Sequence, residues 1–302
     1  PPPPPPPPPP FFFHAEDGIR DSVASRGLGD VYKRQTVSSA GNAADFGDLI
    51  LARRYLGSAN SPTRGLFAGA HSPVKSNSIE FVTIATTGDA SEFGDLISAK
   101  QLDAGTSSPT RAVFAGGEGQ ASNTNPNASP ASPFTENIIE FVTIATKGDS
   151  TDFGDLNETK YLTTATAEPT RAVVFCGTSD APIRNTIEFV TIATTGNAIS
   201  FGDLEAGGRT LNQLGSGGGL SGKVEFIMKF HQQNALEYVN IMTTGNQIDW
   251  GDLHQDHSYE SSQVTNGVRG IIAGGNTSQD ISYITLATKG NSVEFKQKKQ
   301  TA

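Results

Sequence analysis

The chain has 302 residues, 35% hydrophobic and 18% charged, with a formal charge of −9 and a single cysteine. An acidic chain without a Lys/Arg cluster argues against nucleic acid as a partner. With no run of about eighteen apolar residues, nothing in it reads as a membrane-inserted helix, and the lone Cys176 excludes an intrachain disulfide.

Ten prolines and three phenylalanines come first, followed at 15–35 by AEDGIRDSVASRGLGDVYKRQ. Two blocks of that segment, AEDGIRD and SRGLGDVYKRQ, resemble a translated sequencing-library adapter. They stand in order, in one frame, with Ser22, Val23 and Ala24 between them. The resemblance implies that 1–35 is non-native and disordered, so these residues are set aside. A repeat domain is then expected over 36–296, followed by a polar tail at 297–302.

Internal repetition dominates the chain after residue 35. IEFVTIATTGDASEFGDL starts at Ile79, IEFVTIATKGDSTDFGDL at Ile139, IEFVTIATTGNAISFGDL at Ile187 and LEYVNIMTTGNQIDWGDL at Leu236. A beheaded copy, TVSSAGNAADFGDL, starts at Thr36, and a weaker one, ISYITLATKGNSVEF, at Ile281. The aromatic of the last element falls at Phe46, Phe93, Phe153, Phe201 and Trp250, with Phe295 in the final copy. A second element lies between these: SPTRGLFAGA at Ser61, SPTRAVFAGG at Ser108, EPTRAVVFCG at Glu168 and NGVRGIIAGG at Asn266. The fourth interval carries SGKVEFIMKF instead.

Each unit reads as β. FVTIAT and RAVFAGG are rich in β-branched and aromatic residues, T-G-D and T-G-N are hairpin signals, and SSPT is a proline turn. In the second full unit the four strands are expected at about 100–106, 111–117, 139–146 and 150–156. No stretch sustains a helical period. Four short strands repeated about every 45–50 residues fit a propeller blade.

A strand ending in a Gly pair (Gly116, Gly117; Gly274, Gly275), then a strand bearing an aromatic (Phe81, Phe141, Phe189, Tyr238, Tyr283), then an aromatic on the last strand resembles the kelch blade. The repeat text TIATTGNA-x-FGDL also looks like that of repeat proteins of marine phages and viruses. The resemblance covers nearly all of the chain after residue 35. It implies an all-β, kelch-like β-propeller with five complete four-stranded blades plus an N-terminally truncated one, in a natural ring of six or more. The departures are Phe where kelch carries Trp on the fourth strand, and a Gly pair reduced to Gly69-Ala70 and Cys176-Gly177.

The residues with candidate chemistry recur with the repeat. Asp48, Asp95, Asp155, Asp203 and Asp252 follow the aromatic, and Arg64, Arg111, Arg171 and Arg269 come 16 or 17 residues after an Asp. A fixed interval is what a structural bond gives: either the Asp accepts backbone N–H groups at the blade corner, or it pairs with the Arg between blades. Ring-symmetric charge lacks the asymmetry of a catalytic site, so no catalytic residue and no cofactor is expected. His254 and His257, in H-Q-D-H, have no third ligand and a poor strand-to-strand setting, so no metal is expected. Cys176 reads as a small residue at a Gly-pair position. GSGGGLSG at 215–222 lacks the context of a phosphate loop.

One loop breaks the symmetry. After Gly117, EGQASNTNPNASPASPFTENI runs to Ile139, whereas the matching connections are far shorter. Alternating strand directions put these loops at the end of the blades opposite the T-G-D turns. Asn123, Asn125, Asn127 and Phe134 are candidate contacts to a glycan. The expected function is non-enzymatic recognition or structure, in a phage or virus tail or fibre that meets a host-surface glycan or protein, hence a virion or extracellular location. A cellular kelch-type protein scaffold is the alternative, and further off a galactose-oxidase-like enzyme, whose Tyr, His and Cys copper site the sequence does not offer.

Overall fold

The computed structural model describes residues 31–34, 44–71, 74–101, 104–119, 134–161, 163–177, 184–204, 225–228, 235–254, 261–265, 269–274, 281–285 and 288–294. Among the described residues all the regular elements are strands, arranged in small antiparallel sheets in which the strands of one repeat unit pair in chain order. The first full unit runs Gly57–Asn60, Arg64–Ala68, Ser76–Thr83, Ser91–Gln101. The second runs Ala104–Ser107, Arg111–Ala115, Ile138–Thr143, Thr151–Asp155. The third runs Thr164–Glu168, Arg171–Gly177, Arg184–Thr191, Ile199–Asp203. The fourth has three described strands, Glu225–Met228, Ala235–Val239 and Ile248–Asp252. The fifth runs Ser261–Thr265, Arg269–Gly274, Ile281–Thr285, Val293–Glu294. The architecture is all-β and propeller-like, with the repeat read from the sequence as its building block.

Two boundaries differ from expectation. Lys100 closes the long last strand of the first unit instead of opening the second, because its backbone pairs across to Ser76 and Gly119. At the N-terminal side, Val31–Arg34 pairs with Ala44–Asp48, Val31 facing Asp48 and Arg34 facing Ala44. The same register and bulge recur where Ser78 faces Asp95 and Phe81 faces Ser91. So four residues of the segment expected to be non-native stand in a third-strand place, ahead of the expected start at 36. A ladder is made of backbone N–H and C=O groups, so VYKR fills that place despite its different text.

Successive sheets bury both of their faces. In Arg111–Ala115, Ala112 and Phe114 join Leu66, Ile79 and Phe93 of the unit before. Val113 and Ala115 join Val174, Val190 and Ile192 of the unit after. Side chains alternate along a strand, so a strand sandwiched between two sheets must be apolar at every position. That is why RAVFA reads as an unbroken run. The first strands of successive units touch directly: Asn60 N–H donates to Ser107 Oγ at 3.1 Å, and that hydroxyl donates back to Asn60 C=O at 2.6 Å.

The units are also joined at the T-G-D end. Gly196 N–H donates to Phe153 C=O at 2.7 Å and Ala198 N–H to Asp155 C=O at 2.8 Å. Asp155 N–H donates to Asn197 Oδ1 at 3.1 Å. This three-bond staple recurs with Gly88 on Phe46, Gly148 on Phe93, Gly245 on Phe201 and Gly290 on Trp250. Its side-chain acceptors there are Asp89, Asp149, Asn246 and Asn291. Each hairpin turn is thus seated on the last strand of the preceding unit. The alternation of Asp and Asn in T-G-D/N is explained by this, since either supplies an oxygen acceptor.

Candidate functional site

The recurrent residues come first, because their roles decide what is left for function. Asp48, Asp95, Asp155, Asp203 and Asp252 enter the staple through their backbones. The carboxylate expected to accept a corner N–H is instead supplied, in three cases of five as an amide, by the turn residue of the next unit. Three of the arginines do not run to these carboxylates either. Arg64, Arg111 and Arg171 donate from Nη1 to the carbonyls of Ile144, Ile192 and Ile241 in the next unit, at 2.7, 2.6 and 2.9 Å. Their guanidinium carbons lie 4.8, 4.2 and 4.2 Å from the ring centres of Phe81, Phe141 and Phe189, and that of Arg269 lies 4.8 Å from Tyr283. Those rings meet Phe93, Phe153 and Phe201 edge to face, and Tyr238 meets Trp250 likewise. A flat cation with fixed donors can stack on a ring and bond a carbonyl at once. Arg111→Ala is therefore expected to cost about 2 kcal/mol, read as a lower urea midpoint. Arg111→Lys should restore only part of it.

A second recurrent device escapes the motif reading. Glu80, Glu140, Glu188 and Glu237, second in each I-E-F or L-E-Y, are buried. Arg53 pairs with Glu80 at 2.9 Å, Lys160 with Glu188 at 3.3 Å, and Lys100 closely with Glu140. Each cation stands five residues after the Asp of F-G-D-L in one unit, and its Glu belongs to the next. The carboxylate also accepts a backbone N–H from just after the preceding F-G-D-L, from Ile50 at 3.1 Å and Ile97 at 2.7 Å. The last unit has Ser282 in the Glu place and His257 in the cation place. There His254 N–H turns to Ser292 Oγ at 2.6 Å. The signal was present in the sequence, as a charged residue fixed inside an otherwise apolar strand.

The base of the long loop enlarges a feature that the first unit shows as single bridges of His71 with Arg54 and with Lys75. Glu118–Gly119 pairs with Phe134–Thr135 on one side and with Lys100–Gln101 of the first unit on the other. This ribbon extends the first sheet to six strands. Lys75 Nζ donates to Glu118 Oε1 and to Gly119 C=O, both at 2.7 Å, and Gln101 Nε2 donates to Glu118 Oε2 at 2.9 Å. Beneath the ribbon, Glu136 is 4% exposed. Ser98 Oγ reaches its two oxygens at 2.9 and 2.7 Å, and Lys100 Nζ lies 3.9 Å from Oε2. Burial pushes the Glu136 carboxyl above the ordinary carboxylate range. Lys100, the Ser98 hydroxyl and Lys75 oppose that shift, and Glu140 adds to it.

The loop base sits at the end of the units opposite the staples. Gly117 N–H donates to Lys160 C=O at 2.9 Å and Ala70 N–H to Lys100 C=O at 2.8 Å, so the loops after the Gly pairs meet the connections between units. Of the candidate contacts, Phe134 opens the second strand of the ribbon, while Asn123, Asn125 and Asn127 lie outside the described residues, as does His257. Among the described residues no group of three or more His, Cys, Asp or Glu could hold a metal ion, and no helix is long and apolar enough to cross a membrane. No family model and no curated protein matches the chain.

Proposed function

We propose that the chain is a kelch-like propeller acting as a non-enzymatic recognition module of a phage or virus particle, in which the insertion after Gly117 meets a host-surface glycan or protein. One observation carries the reading. The repeated Phe, Arg and Glu, and the backbones of the repeated Asp, are engaged in staples, stacks and buried pairs between units, whereas the insertion stands on a two-residue ribbon anchored by the side chains of Lys75 and Gln101, at a place where the first unit shows single bridges of His71 with Arg54 and Lys75. A rigid scaffold with one anchored, irregular loop of Asn, Ser and Pro is a common way to build a binding surface. Asn123, Asn125, Asn127 and Phe134 supply amide and aromatic groups suited to sugar hydroxyls and sugar faces.

The test is a glycan array, with host-envelope protein fractions alongside, probed with the 302-residue chain and with a variant whose 120–133 is replaced by a short Gly-Ser linker. The expected result is a defined set of ligands for the parent and at least a ~10-fold weaker signal for the variant. Equal binding by both, or none by either, would remove the insertion from the proposal.

A further inference from the structure

At two other junctions a buried cation pairs with the repeat carboxylate: Arg53 with Glu80, and Lys160 with Glu188. At the junction under the insertion, Lys100 faces two, Glu140 of the repeat and Glu136 of the insertion itself. Glu140 holds the cation more closely than Glu136 does, through Oε1, and its Oε2 accepts from Ile97 N–H at 2.7 Å and from Ser150 Oγ at 2.5 Å. Glu136 is left with the far end of the cation and the Ser98 hydroxyl.

We infer that Glu136 is a proton-operated latch: the ribbon at 118–119 and 134–135 is held tightly when Glu136 carries a proton and loosens when it is ionised. The placement makes the latch local. Glu136 N–H donates to Gly117 C=O at 2.9 Å and Lys160 N–H donates to Glu136 C=O at 3.1 Å, so the residue is fixed from both sides of its backbone. Its side chain lies against Gly119, where a Cβ would collide with Oε1. Withdrawing the carboxylate to water therefore means parting the two strands of the ribbon.

The charged groups around it are Lys100 from the strand beneath, Glu140 from the neighbouring strand, and Lys75 from the chain before Ser76. The Lys75 ammonium is engaged by Glu118 at 2.7 Å, and that of Lys160 by Glu188 at 3.3 Å. Two carboxylates on one cation leave an excess negative charge in a dry site, which one proton removes. The raised titration of Glu136 agrees with this count. The sign is set by proton binding. The closed ribbon binds the proton more tightly than the open one, so closure is favoured at low pH. That advantage is lost as pH rises through the closed-state value.

The latch is independent of any ligand; its use in exposing or retracting the insertion rests on the recognition reading above. The experiment is hydrogen exchange of the backbone amides of 118–119 and 134–136, as protection factors, between about pH 5 and about pH 8. The amides of Arg54 and His71, each donating to the other's carbonyl beside the pair of Arg53 and Glu80, are the internal control. Protection at the ribbon is expected to fall by roughly 10-fold for each unit by which the closed-state pKa exceeds the open one, with the control unchanged. In Glu136→Gln the ribbon should stay protected at every pH. Parallel profiles for ribbon and control in the parent chain would overturn the inference. So would a Glu136→Gln ribbon that is unprotected throughout, since the charge would then be what holds it. Neither outcome depends on the glycan array, so the latch and the recognition reading can fail separately.

Discussion

Lys160→Met is expected to destabilise the chain by about 3–5 kcal/mol, because it strands a carboxylate in the core. The Lys160 and Glu188 side chains are 0% and 2% exposed, with 3.3 Å between Nζ and Oε2. Thr186 Oγ1, 3.2 Å from the ammonium, is the cation's other described partner. Removing the cation leaves Glu188 with neither water nor a counter-charge, and no rotamer takes it out of a strand packed on both faces. The pair's own net contribution is far smaller, since placing it in the core already costs the desolvation of two ions. The double variant Lys160→Met with Glu188→Leu should therefore recover most of the loss. Urea midpoints of the two single variants and the double one close the cycle. A single-variant loss under about 1 kcal/mol would mean that the junction opens readily to water. The half-wet pair of Lys75 and Glu118, with side chains 15% and 18% exposed, is the contrast. Lys75→Met should cost about 1 kcal/mol or less.

The fold was legible in the sequence because the repeat is written in turn chemistry and strand periodicity, both of which are local. T-G-D and S-P-T fix where each chain reversal falls, and R-A-V-F-A announces a strand buried on both faces. What these motifs do between units was not legible. The fixed Asp-to-Arg interval suggested either an Asp accepting corner N–H groups or a bond between the two, but it is only the distance between two neighbouring fittings. Arg111 crosses to Ile192 of the next unit, and Asp155 uses its backbone on Asn197. An interval along the chain cannot separate contact from common spacing. The buried glutamates were missed for the opposite reason. A charge within I-E-F-V-T looks like the solvated face of an alternating strand. Only the second sheet packed on that side, with Lys100 or Lys160 behind it, makes it interior. Of the candidate site, the insertion itself was evident from its length. Its anchorage on Lys100 and Gln101 of a different unit was not, because pairing across units leaves no local trace.

Gly154→Ala is expected to break one junction while leaving its neighbours intact. Gly154 has φ +145°, and a Cβ there would lie 2.5 Å from both the carbonyl carbon and the oxygen of Gly196. Those are backbone atoms that no rotamer change can move aside, so the turn must lift off. The three staple bonds of Phe153, Asp155 and Asn197 go with it, at about 1 kcal/mol each, and the left-handed backbone adds about 1 kcal/mol for any residue with a Cβ. The expected loss is about 3–4 kcal/mol in total. Gly196→Ala separates the two terms. Gly196 has φ +156° but nothing within 4 Å of a Cβ, so only the backbone cost of about 1 kcal/mol remains. Equal losses for the two variants would show that close approach between units is not what selects glycine in F-G-D. Where the damage falls is the sharper test. In a chain of nearest-neighbour units, a broken junction costs its own interface term and little else. Amides of Gly196 and Ala198 should lose protection in Gly154→Ala, while Gly148 on Phe93 and Gly245 on Phe201 keep theirs. Loss of protection at all three junctions would mean that the sheets unfold as one cooperative body, in which no staple acts alone.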